Sequence, residues 1–466
     1  KLIYIFDDNN ISIDGNVEKV SVTDQSAKFQ SLGWHVQEID GHDENQIINA
    51  VKHAQDNTSK PSLIIAKSTI GKHSPNKQNT SGVHGSPLGS DEMEQFLENL
   101  GWTGDAFDHS REIYDYFNEK RDMDNGKHDE WVSLLEEKIK TNDDFANLWN
   151  EFNYKKIEFS HSQEYDRKAT RVTGSEVLKS IGESNRFILG GSADLAASTK
   201  QIISNSIYSH QNRSGQSIEF GIREHAMAAV VNGITLHSNL IGYGSTFLVF
   251  SDYMRPSIRL ASLMNLNSVY IFTHDSIYLG EDGPTHQPVE HLMSLRLIPG
   301  VDVIRPANSI EVQYAYQYIF TKSNNPKSLV LTRQSLDYVE TKLSYKNFQE
   351  GAYELINGDD ITIFASGSEV NLAIEVSKKL KKKSVQVIST PILNQVNTDT
   401  LTNLKINEFV FTLELGRSIG WQDYIGKVTE SFSIETFGKS APLEDLTNYF
   451  EFSAEKIAEK ILKYIS

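Results

Sequence analysis

The chain has 466 residues, no cysteine and a formal net charge of −17. The negative charge argues against nucleic acid as the main partner, and the missing cysteine excludes disulfides and thiol chemistry. The length predicts about three domains of roughly 150 residues each. No apolar run approaches the roughly 20 residues that a membrane span needs, and no signal peptide precedes the first predicted strand, so we expect a cytoplasmic protein.

The first stretch of predicted elements begins with strand Leu2–Phe6, an unbroken apolar run of the kind that a sheet buries on both faces. The pattern predicts a helix over Asp24–Leu32 and a second buried strand over Ser62–Ala66. A loop rich in Gly, Ser, Asn and Pro runs from Gly71 to Ser90. Residues 120–160 are charged and helical in pattern, which is typical of a surface segment that joins domains.

Oxygen-rich side chains follow the first strand directly, in the run Asp7-Asp8-Asn9-Asn10. The run fails the pattern of a calcium-binding loop, because Ile11 and Ser12 stand where Asn or Asp and then Gly belong. A plain polar turn explains the spacing. The alternative is a Mg²⁺ site that uses the Asn9 side-chain oxygen and a backbone carbonyl, and such a site needs further oxygen ligands from a diphosphate.

Two more stretches of alternating strands and helices follow. The second contains the predicted elements Phe187–Leu189, Glu224–Asn232, Ser268–Thr273 and Ser328–Leu331, and the third contains Ile361–Phe364, Glu369–Leu380 and Val385–Ile388. This alternation predicts the α/β fold class, as three consecutive α/β domains with mostly parallel sheets. In such sheets, ligands bind beyond the carboxyl ends of the strands.

Several short motifs of the second and third stretches are ambiguous when each is taken alone. Ser433–Ser440 (SIETFGKS) is similar to a phosphate-binding P-loop, but it lacks the first glycine and we reject that interpretation. Glu224 in GIREHAM stands at a predicted helix start, where any glutamate favours the helix dipole. The aromatic residues Phe247, Phe250 and Tyr253 recur at helical spacing, a pattern more typical of a core than of a binding site.

A polar loop follows the strand Ser268–Thr273 with the sequence HDSIYLGEDGPTHQP. It holds two histidines and several acidic residues between glycines, and packing gives no reason for such polarity. His274 and His286 could be zinc ligands, but no third ligand at a customary spacing follows them.

Together these segments resemble the transketolase family of thiamine-diphosphate enzymes. GGSADL (190–195), GIREHAM, TFLVFSDYMR, THDSIYLGEDGPTHQP and LTRQ (331–334) occur in the family's order, and the resemblance covers essentially the whole chain. It implies the thiamine-diphosphate-binding fold, with the remainder of the diphosphate-binding domain plus a linker in residues 1–160, the pyrimidine-binding domain in 161–340 and the C-terminal transketolase domain in 341–466.

The resemblance also implies the cofactor site. Glu224 would hydrogen-bond the aminopyrimidine ring, and a glutamate in an aromatic pocket has its charged form disfavoured, so it can hold a proton near neutral pH. Phe250 would stack on the pyrimidine. The metal, Mg²⁺ or alternatively Ca²⁺, would be bound by Asn9 and Ile11. The full set of residues expected to contact the cofactor is Ile70, His84, Asp194, Leu195, Glu224, Phe247, Phe250 and Tyr253.

The substrate residues implied by the resemblance fall into two groups. His84, His274 and His286 would surround the ketose hydroxyls and move protons as catalytic residues with Glu224, while Asp282 would bind a hydroxyl. The terminal sugar phosphate would be held by Arg171, Ser198, His274 and Arg333, since forked Arg contacts suit a dianion.

Some features depart from the family. His73 stands where a glycine is usual and Tyr278 where a small residue is usual, and the chain begins after the family's GDG metal motif. We therefore expect a first domain that is truncated, and a chain that is incomplete and inactive alone. The family also implies a homodimer that binds sugar phosphates. Alternatives left open are a non-catalytic fragment, one subunit of a split transketolase, and an enzyme like dihydroxyacetone synthase or deoxyxylulose-phosphate synthase.

Overall fold

The computed structural model describes residues 2–105, 107–154, 157–159, 167–321 and 325–465. The chain divides into two compact units, Lys1–Leu135 and Glu136–Ser466. The domain boundary predicted at residues 160 and 161 lies outside the described residues.

The first unit is built around a parallel sheet. Its strands are β1 (Ile3–Asp8), β2 (Ile11–Ser12), β3 (Gly15–Asn16), β4 (His35–Asp40) and β5 (Ser62–Lys67). Its helices are α1 (Gln25–Ser31), α2 (Glu44–Asp56), α3 (Ser90–Asn99) and α4 (Arg111–Thr141), the last of which continues into the second unit. The main sheet has the order β1-β5-β4, with both pairs parallel, and β2 and β3 form a small antiparallel pair.

The prediction that the first strand is buried on both faces is wrong. Leu2 is 46% exposed, Tyr4 and Ile5 are each 57% exposed and Phe6 is 39% exposed. The physical reason is the position of β1, which lies at the edge of the sheet and pairs with β5 on one side. The predicted strand Ser62–Ala66, by contrast, lies in the centre of this sheet and is buried throughout.

The first half of the second unit contains a larger parallel sheet. The sheet consists of β7 (Ile188–Ser192), β8 (Ser217–Glu219), β9 (Ile241–Phe247), β10 (Val269–Thr273), β11 (Asp302–Ile304) and β12 (Lys327–Leu331). Strands β6 (Lys168–Ala169) and β13 (Ser335–Leu336) form a separate antiparallel pair in this half of the unit. Its helices are α5 (Asp143–Tyr154), α6 (Thr170–Ser184), α7 (Ala196–Thr199), α8 (Glu224–His237), α9 (Ser251–Leu263), α10 (His291–Arg296) and α11 (Ser309–Thr321). The sheet order is β11-β12-β10-β9-β7-β8, and all neighbours are parallel.

Strand β10 shows why the strands of this sheet are continuous apolar runs in the sequence. Val269 and Ile271 point into one cluster that includes residues of α6 and α11, whereas Tyr270 and Phe272 point into another that includes residues of α8, α9 and α10. All four side chains are fully buried. Helices therefore cover both faces, as the α/β fold class requires.

The second half of this unit contains a mixed sheet. Its strands are β14 (Tyr353–Ile356), β15 (Ile361–Ala365), β16 (Val385–Ser389), β17 (Phe409–Leu413) and β18 (Glu430–Phe432). Its helices are α12 (Tyr345–Gln349), α13 (Glu369–Lys379), α14 (Thr398–Leu404), α15 (Trp421–Ile425), α16 (Leu443–Tyr449) and α17 (Ala454–Tyr464). The order is β14-β16-β15-β17-β18, parallel except for the edge strand β14.

Short 3₁₀ helices occur at Val17–Lys19, Ser81–Val83, Leu248–Phe250, Ile277–Leu279 and Leu393–Gln395. Among the described residues, no helix combines the length and the apolar character that crossing a membrane requires. The predicted fold class is confirmed: the main sheets are mostly parallel and alternate with helices along the chain.

Candidate active site

Most of the predicted site residues of the second unit follow strands that lie side by side in its larger sheet. The strand order β12-β10-β9-β7-β8 places their carboxyl ends along one edge. In that order, the residues at or after the strand ends are Arg333, His274, Phe247, Asp194 and Glu224.

His274 leaves the end of β10 in a left-handed backbone conformation, with φ of 62°. A side chain in this conformation costs roughly 1–2 kcal/mol, so surrounding contacts must hold it. The ring is buried, and its centroid lies 3.7 Å from that of Phe247. Thr273 Oγ1 lies 2.8 Å from Nδ1, and Arg171 Nη1 lies 3.4 Å from Nε2.

The surroundings of His274 keep its ring neutral. Burial, followed by the positive charges of Arg171 and Arg333 and the nearby His286, lowers the pKa of His274 to about 3. A neutral imidazole can accept a proton from one group and donate one to another, which is the property that proton transfer at a sugar hydroxyl needs.

Arg171 lies half-buried beside His274 at the start of α6. Its Nη1 donates to the backbone carbonyl of Ser198 at 2.6 Å, so the contribution of Ser198 to this contact is its main chain rather than its hydroxyl. The Nε of Arg171 is buried and has no hydrogen-bond partner among the described residues. Burial, followed by the positive charge of Arg333, lowers the pKa of Arg171. A buried donor without a partner beside a second positive charge favours an anion at this place.

The predicted aromatic pocket forms at the junction of β9 and α9. The rings of Phe247 and Phe250 are stacked with centroids 5.8 Å apart and an interplanar angle of 11°. Phe250 lies 6.0 Å from Tyr253, and His286 approaches Phe250 edge-on at 5.6 Å. Phe250 is half-buried and Tyr253 is 63% exposed, so this side of the pocket is open.

Glu224 is the first residue of α8 and is half-buried. Asp194, which has φ of 60°, lines a cavity of about 630 Å³ together with Ser192, Glu219 and Arg223. The neighbouring Leu195 donates its backbone N–H to Ser192 Oγ at 3.2 Å. This cavity lies at the β7–β8 end of the same sheet edge.

Gln287 holds the polar loop after β10, a role that no sequence motif indicates. Its Nε2 donates to the carbonyls of Ile277 at 3.1 Å, Gly280 at 2.9 Å and Lys439 at 2.8 Å. Asp282 on the same loop is exposed to solvent. The hydrogen bonds of the buried Gln287 side chain therefore fix the backbone of the loop that carries Asp282.

Each of the two loop histidines has a hydroxyl partner that was not predicted from the sequence. Thr285 Oγ1 lies 3.0 Å from His286 Nδ1, as Thr273 does for His274. Both pairs are Thr-His dipeptides, so the repeated dipeptide is the sequence signal that could have indicated these contacts. A hydroxyl on Nδ1 orients each ring, with Nε2 of His274 directed toward Arg171.

The other predicted residues belong to the first unit. His84 follows the Ser81–Val83 turn, and its Nδ1 is buried without a hydrogen-bond partner among the described residues. Ile70 accepts the backbone N–H of Asn79 at 2.8 Å. Asn9 Oδ1 accepts the backbone N–H of Ile11 at 3.0 Å, which fixes these two residues in one turn at the end of β1.

Glu92 closes the loop that carries Ile70 and His84. It accepts hydrogen bonds from Ser74 Oγ and from the backbone N–H groups of Asn76 at 2.9 Å and Lys77 at 3.2 Å. These bonds, the one from Ser74 first, lower the pKa of Glu92 to about 2. His73, at the position where a glycine is usual, has φ of 74°.

The residues present suit an aromatic, phosphorylated cofactor in part. The open stack of Phe247, Phe250 and Tyr253 suits a flat heteroaromatic ring. At the end of β1, Asn9 Oδ1 keeps a second acceptor lone pair after its bond to Ile11. Asn9 and Ile11 would supply two oxygen ligands, whereas Mg²⁺ takes about six.

Comparison with known proteins identifies the family. Models of transketolase domains match the chain, as the thiamine diphosphate binding domain over residues 1–155, the pyrimidine binding domain over 166–338 and the Transketolase-like TK C-terminal domain over 351–453.

Relatives match the chain along almost its whole length. Transketolase of Staphylococcus aureus (strain MRSA252) is 37% identical over 493 residues, which cover 99% of this chain and 73% of that protein. Transketolase of Bacillus subtilis (strain 168) is 36% identical and is covered to the same 73%. The crystal structure of Pichia stipitis transketolase in complex with sedoheptulose 7-phosphate has a TM-score of 0.92 and 32% identity, covering 100% of this chain and 72% of that one. The chain therefore belongs to the transketolase family.

Proposed function

We propose that the edge of the larger sheet is a ketol-transfer site, where a two-carbon unit passes from a ketose phosphate to an aldose phosphate. The observation that carries this proposal is the group formed by Arg171, His274 and Arg333. It combines two neighbouring cations, for which the described residues show no carboxylate partner, with a neutral buried histidine next to an open aromatic stack. A substrate with a phosphate at one end and reacting hydroxyls further along fits this arrangement: the cations suit the phosphate and the histidine suits the hydroxyls.

The proposal gives each group of residues a task. Arg171, Ser198 and Arg333 bind the terminal phosphate. His274 and His286, with Nδ1 of each on a threonine hydroxyl, move protons at the reacting hydroxyls. Asp282 accepts a hydrogen bond from a neighbouring hydroxyl. For His84, which lies in the first unit, the family resemblance implies proton transfer at a ketose hydroxyl.

Thiamine diphosphate would supply the electron sink for the carbanion that ketol transfer requires. Glu224 would bind its aminopyrimidine ring and hold the proton there, while Phe247, Phe250 and Tyr253 would orient the ring. Asp194, Leu195 and Ile70 would complete its surroundings. Asn9 and Ile11 would hold Mg²⁺ or Ca²⁺ against the diphosphate, which provides the remaining oxygen ligands.

Transfer of an isotope label tests the reaction type. A ketose phosphate carrying ¹³C at its first two carbons is incubated with an aldose phosphate, thiamine diphosphate and Mg²⁺, and the products are analysed by mass spectrometry. We expect both labelled carbons to arrive together on the aldose phosphate. Transfer to formaldehyde in preference to the aldose phosphate would instead indicate an enzyme like dihydroxyacetone synthase. Condensation of pyruvate with glyceraldehyde 3-phosphate would indicate one like deoxyxylulose-phosphate synthase.

We also infer a second candidate, in which the chain is one subunit of a split transketolase or a fragment that is inactive by itself. The supporting observation is β1, which exposes Tyr4, Ile5 and Phe6 at an unpaired sheet edge. Exposed apolar edge strands favour pairing with further polypeptide. The alignment covers 73% of the Staphylococcus aureus relative, so that relative has further polypeptide outside the aligned part.

Adding that polypeptide tests the second candidate. The part of Staphylococcus aureus transketolase outside the alignment is added to this chain, and hydrogen exchange of residues 3–8 is followed together with ketol transfer. Protection of β1 and activity that appears on mixing would support this candidate. Full activity of the chain alone, with β1 unprotected in both samples, would contradict it. For the ketol-transfer enzyme we also propose a cytoplasmic location and a role in the pentose phosphate pathway.

A further inference from the structure

Behind the candidate active site, a cluster of buried charges joins the two main sheets of the second unit. Arg305 directly follows β11, and its side chain is 1% exposed. Its Nε and Nη2 donate to Asp275 Oδ2 at 3.1 and 2.7 Å. Its Nη1 donates to the backbone carbonyl of Ser366 at 2.9 Å and is paired with Glu369. One guanidinium therefore bridges the loop after β10 and the turn after β15.

The Asp275 carboxylate depends on this guanidinium. Asp275 is 1% exposed, and its other oxygen, Oδ1, has no hydrogen-bond partner within the described part of the chain. Asp275 directly follows His274, whose left-handed backbone must be fixed by its surroundings. The anchored carboxylate lies one peptide bond from that position, so Arg305 holds the backbone from which the His274 ring projects.

On the other side, Arg305 is held by the turn between β15 and α13. Gly367 has φ of 55°, and a Cβ at this position would lie 2.7 Å from Arg305 Nε, so glycine permits the close approach. Glu369 is buried and also accepts the backbone N–H of Leu415 at 3.0 Å. The position of the guanidinium is thus set by residues of the C-terminal domain.

We propose that Arg305 is a positioning residue for the reaction: through Asp275 it fixes His274 by means of contacts that the C-terminal domain supplies. This role rests on the proposed function of His274. It requires a planar group with donors on two sides, and a lysine could not reach Asp275, Ser366 and Glu369 at once. It also assigns the C-terminal domain a part in the reaction without placing any of its residues against the substrate.

Loosening this contact from the C-terminal side tests the proposal. Glu369→Gln removes the charge that pairs with Arg305 and keeps the shape of the side chain. The matched control is Glu311→Gln, another buried glutamate, which bonds Tyr353 OH at 2.7 Å and Ser389 Oγ at 2.6 Å between the same two domains. Ser366→Ala, which removes the 3.1 Å bond of its hydroxyl to Arg305, serves if Glu369→Gln does not fold.

Hydrogen exchange measured by mass spectrometry gives the primary result. In Glu369→Gln we expect exchange in residues 274–283 to rise about tenfold or more, while β10 keeps its protection, because opening is local. In Glu311→Gln the exchange of this loop should stay at its wild-type value. An equal rise in both variants, or a rise that includes β10, would overturn the proposal and leave Arg305 as general interface packing.

Kinetics separates the positioning role from the proposed function. In an active preparation, Glu369→Gln should lower kcat about tenfold or more and leave half-saturation by thiamine diphosphate unchanged, since His274 faces the substrate. If exchange changes as expected but the wild type transfers no ketol unit, the proposed function fails and the anchoring of the loop stands. Unchanged exchange overturns the positioning role whatever the turnover.

Discussion

His274 has a buried ring in a left-handed backbone position, next to two guanidinium groups. Its folded-state pKa of about 3 lies well below the ordinary value of 6.5. Between those values the unfolded chain binds a proton that the folded protein does not, so the stability of the fold decreases as the pH falls through this window. The full shift is worth on the order of 5 kcal/mol.

We predict that replacing His274 removes this acid sensitivity. The free energy of unfolding of the wild type should fall by roughly 2–3 kcal/mol more than that of His274→Gln between pH 7.5 and pH 4.5. Urea unfolding at the two pH values checks this. Equal losses in both proteins would mean that His274 is protonated in the folded state at pH 4.5.

Arg333 gives a second prediction at this scale. Arg333→Ala should raise KM for phosphorylated substrates about tenfold or more, because it removes a charge-assisted contact worth about 1.5–3 kcal/mol. Unphosphorylated glycolaldehyde or hydroxypyruvate should be affected much less. Arg121→Ala, which changes an exposed arginine of α4, is the control. Equal damage to both substrate classes would make Arg333 structural.

The residue identities of the candidate site could be expected from the sequence, but several of their contacts could not. The motifs around Glu224, His274 and His286 are specific enough to indicate a thiamine-dependent site. That Arg171 meets Ser198 through a backbone carbonyl depends on how β7 and α6 pack, and no residue pattern encodes it. The Asp275–Arg305 pair joins residues 30 positions apart, which only the sheet brings together.

At the scale of the elements, the loop after β10 is held by the side-chain amide of Gln287, which belongs to no recognisable sequence motif. Gln287 donates to three backbone carbonyls, one of them from Lys439 in the rejected P-loop sequence. Ser440 of that sequence donates to the carbonyl of Glu281 at 2.5 Å. The GKS segment therefore packs against the polar loop and has a structural role there.

We predict that Gln287→Met destabilises this loop, since buried carbonyls left without donors cost about 1–3 kcal/mol in free energy of unfolding. Thermal unfolding should show a clear loss of stability, and limited proteolysis should cut within residues 277–287. Gln30→Met, at an exposed position of α1, should do neither. Wild-type stability and resistance in Gln287→Met would refute the role of the amide.

Most strands inside the sheets were predictable to within one or two residues, because apolar side chains alternate between two buried faces there. The exception is Phe187–Leu189, observed as Ile188–Ser192, since the apolar run gives way to Gly190, Gly191 and Ser192 before the strand ends. Strand Ser268–Thr273 is observed as Val269–Thr273, and Ser62–Ala66 as Ser62–Lys67. The burial of Leu2–Phe6 was not predictable, since an apolar run has the same composition at a sheet edge and at its centre.

At the scale of the whole molecule, the exposed side of α8 supports the predicted homodimer. Val230 and Leu236 are 45% and 59% exposed, and Gly233 between them faces open space. Small and apolar side chains in one stripe permit close packing against a second copy. We expect sedimentation at twice the 52.5 kDa of one chain at micromolar concentration.

Val230→Glu should shift this protein toward the monomer, because it would bury an unpaired charge in the interface. Leu462→Glu, at an exposed position of α17, is the matched control and should leave the dimer intact. A wild type that sediments as a monomer, or a dimer that Val230→Glu leaves unchanged, would contradict this interface.

The central claim is that this chain provides a ketol-transfer site in which Glu224 holds the cofactor's proton. Its most direct test is the rate of two-carbon transfer from a ketose phosphate to an aldose phosphate, with thiamine diphosphate and Mg²⁺, for wild type and Glu224→Gln. The chain is assayed alone and with the unmatched segment of the Staphylococcus aureus relative. We expect turnover in at least one of these arrangements and a kcat lower by roughly 10²-fold or more in Glu224→Gln. No turnover in either arrangement, or a Glu224→Gln variant with near-wild-type kcat, would contradict it.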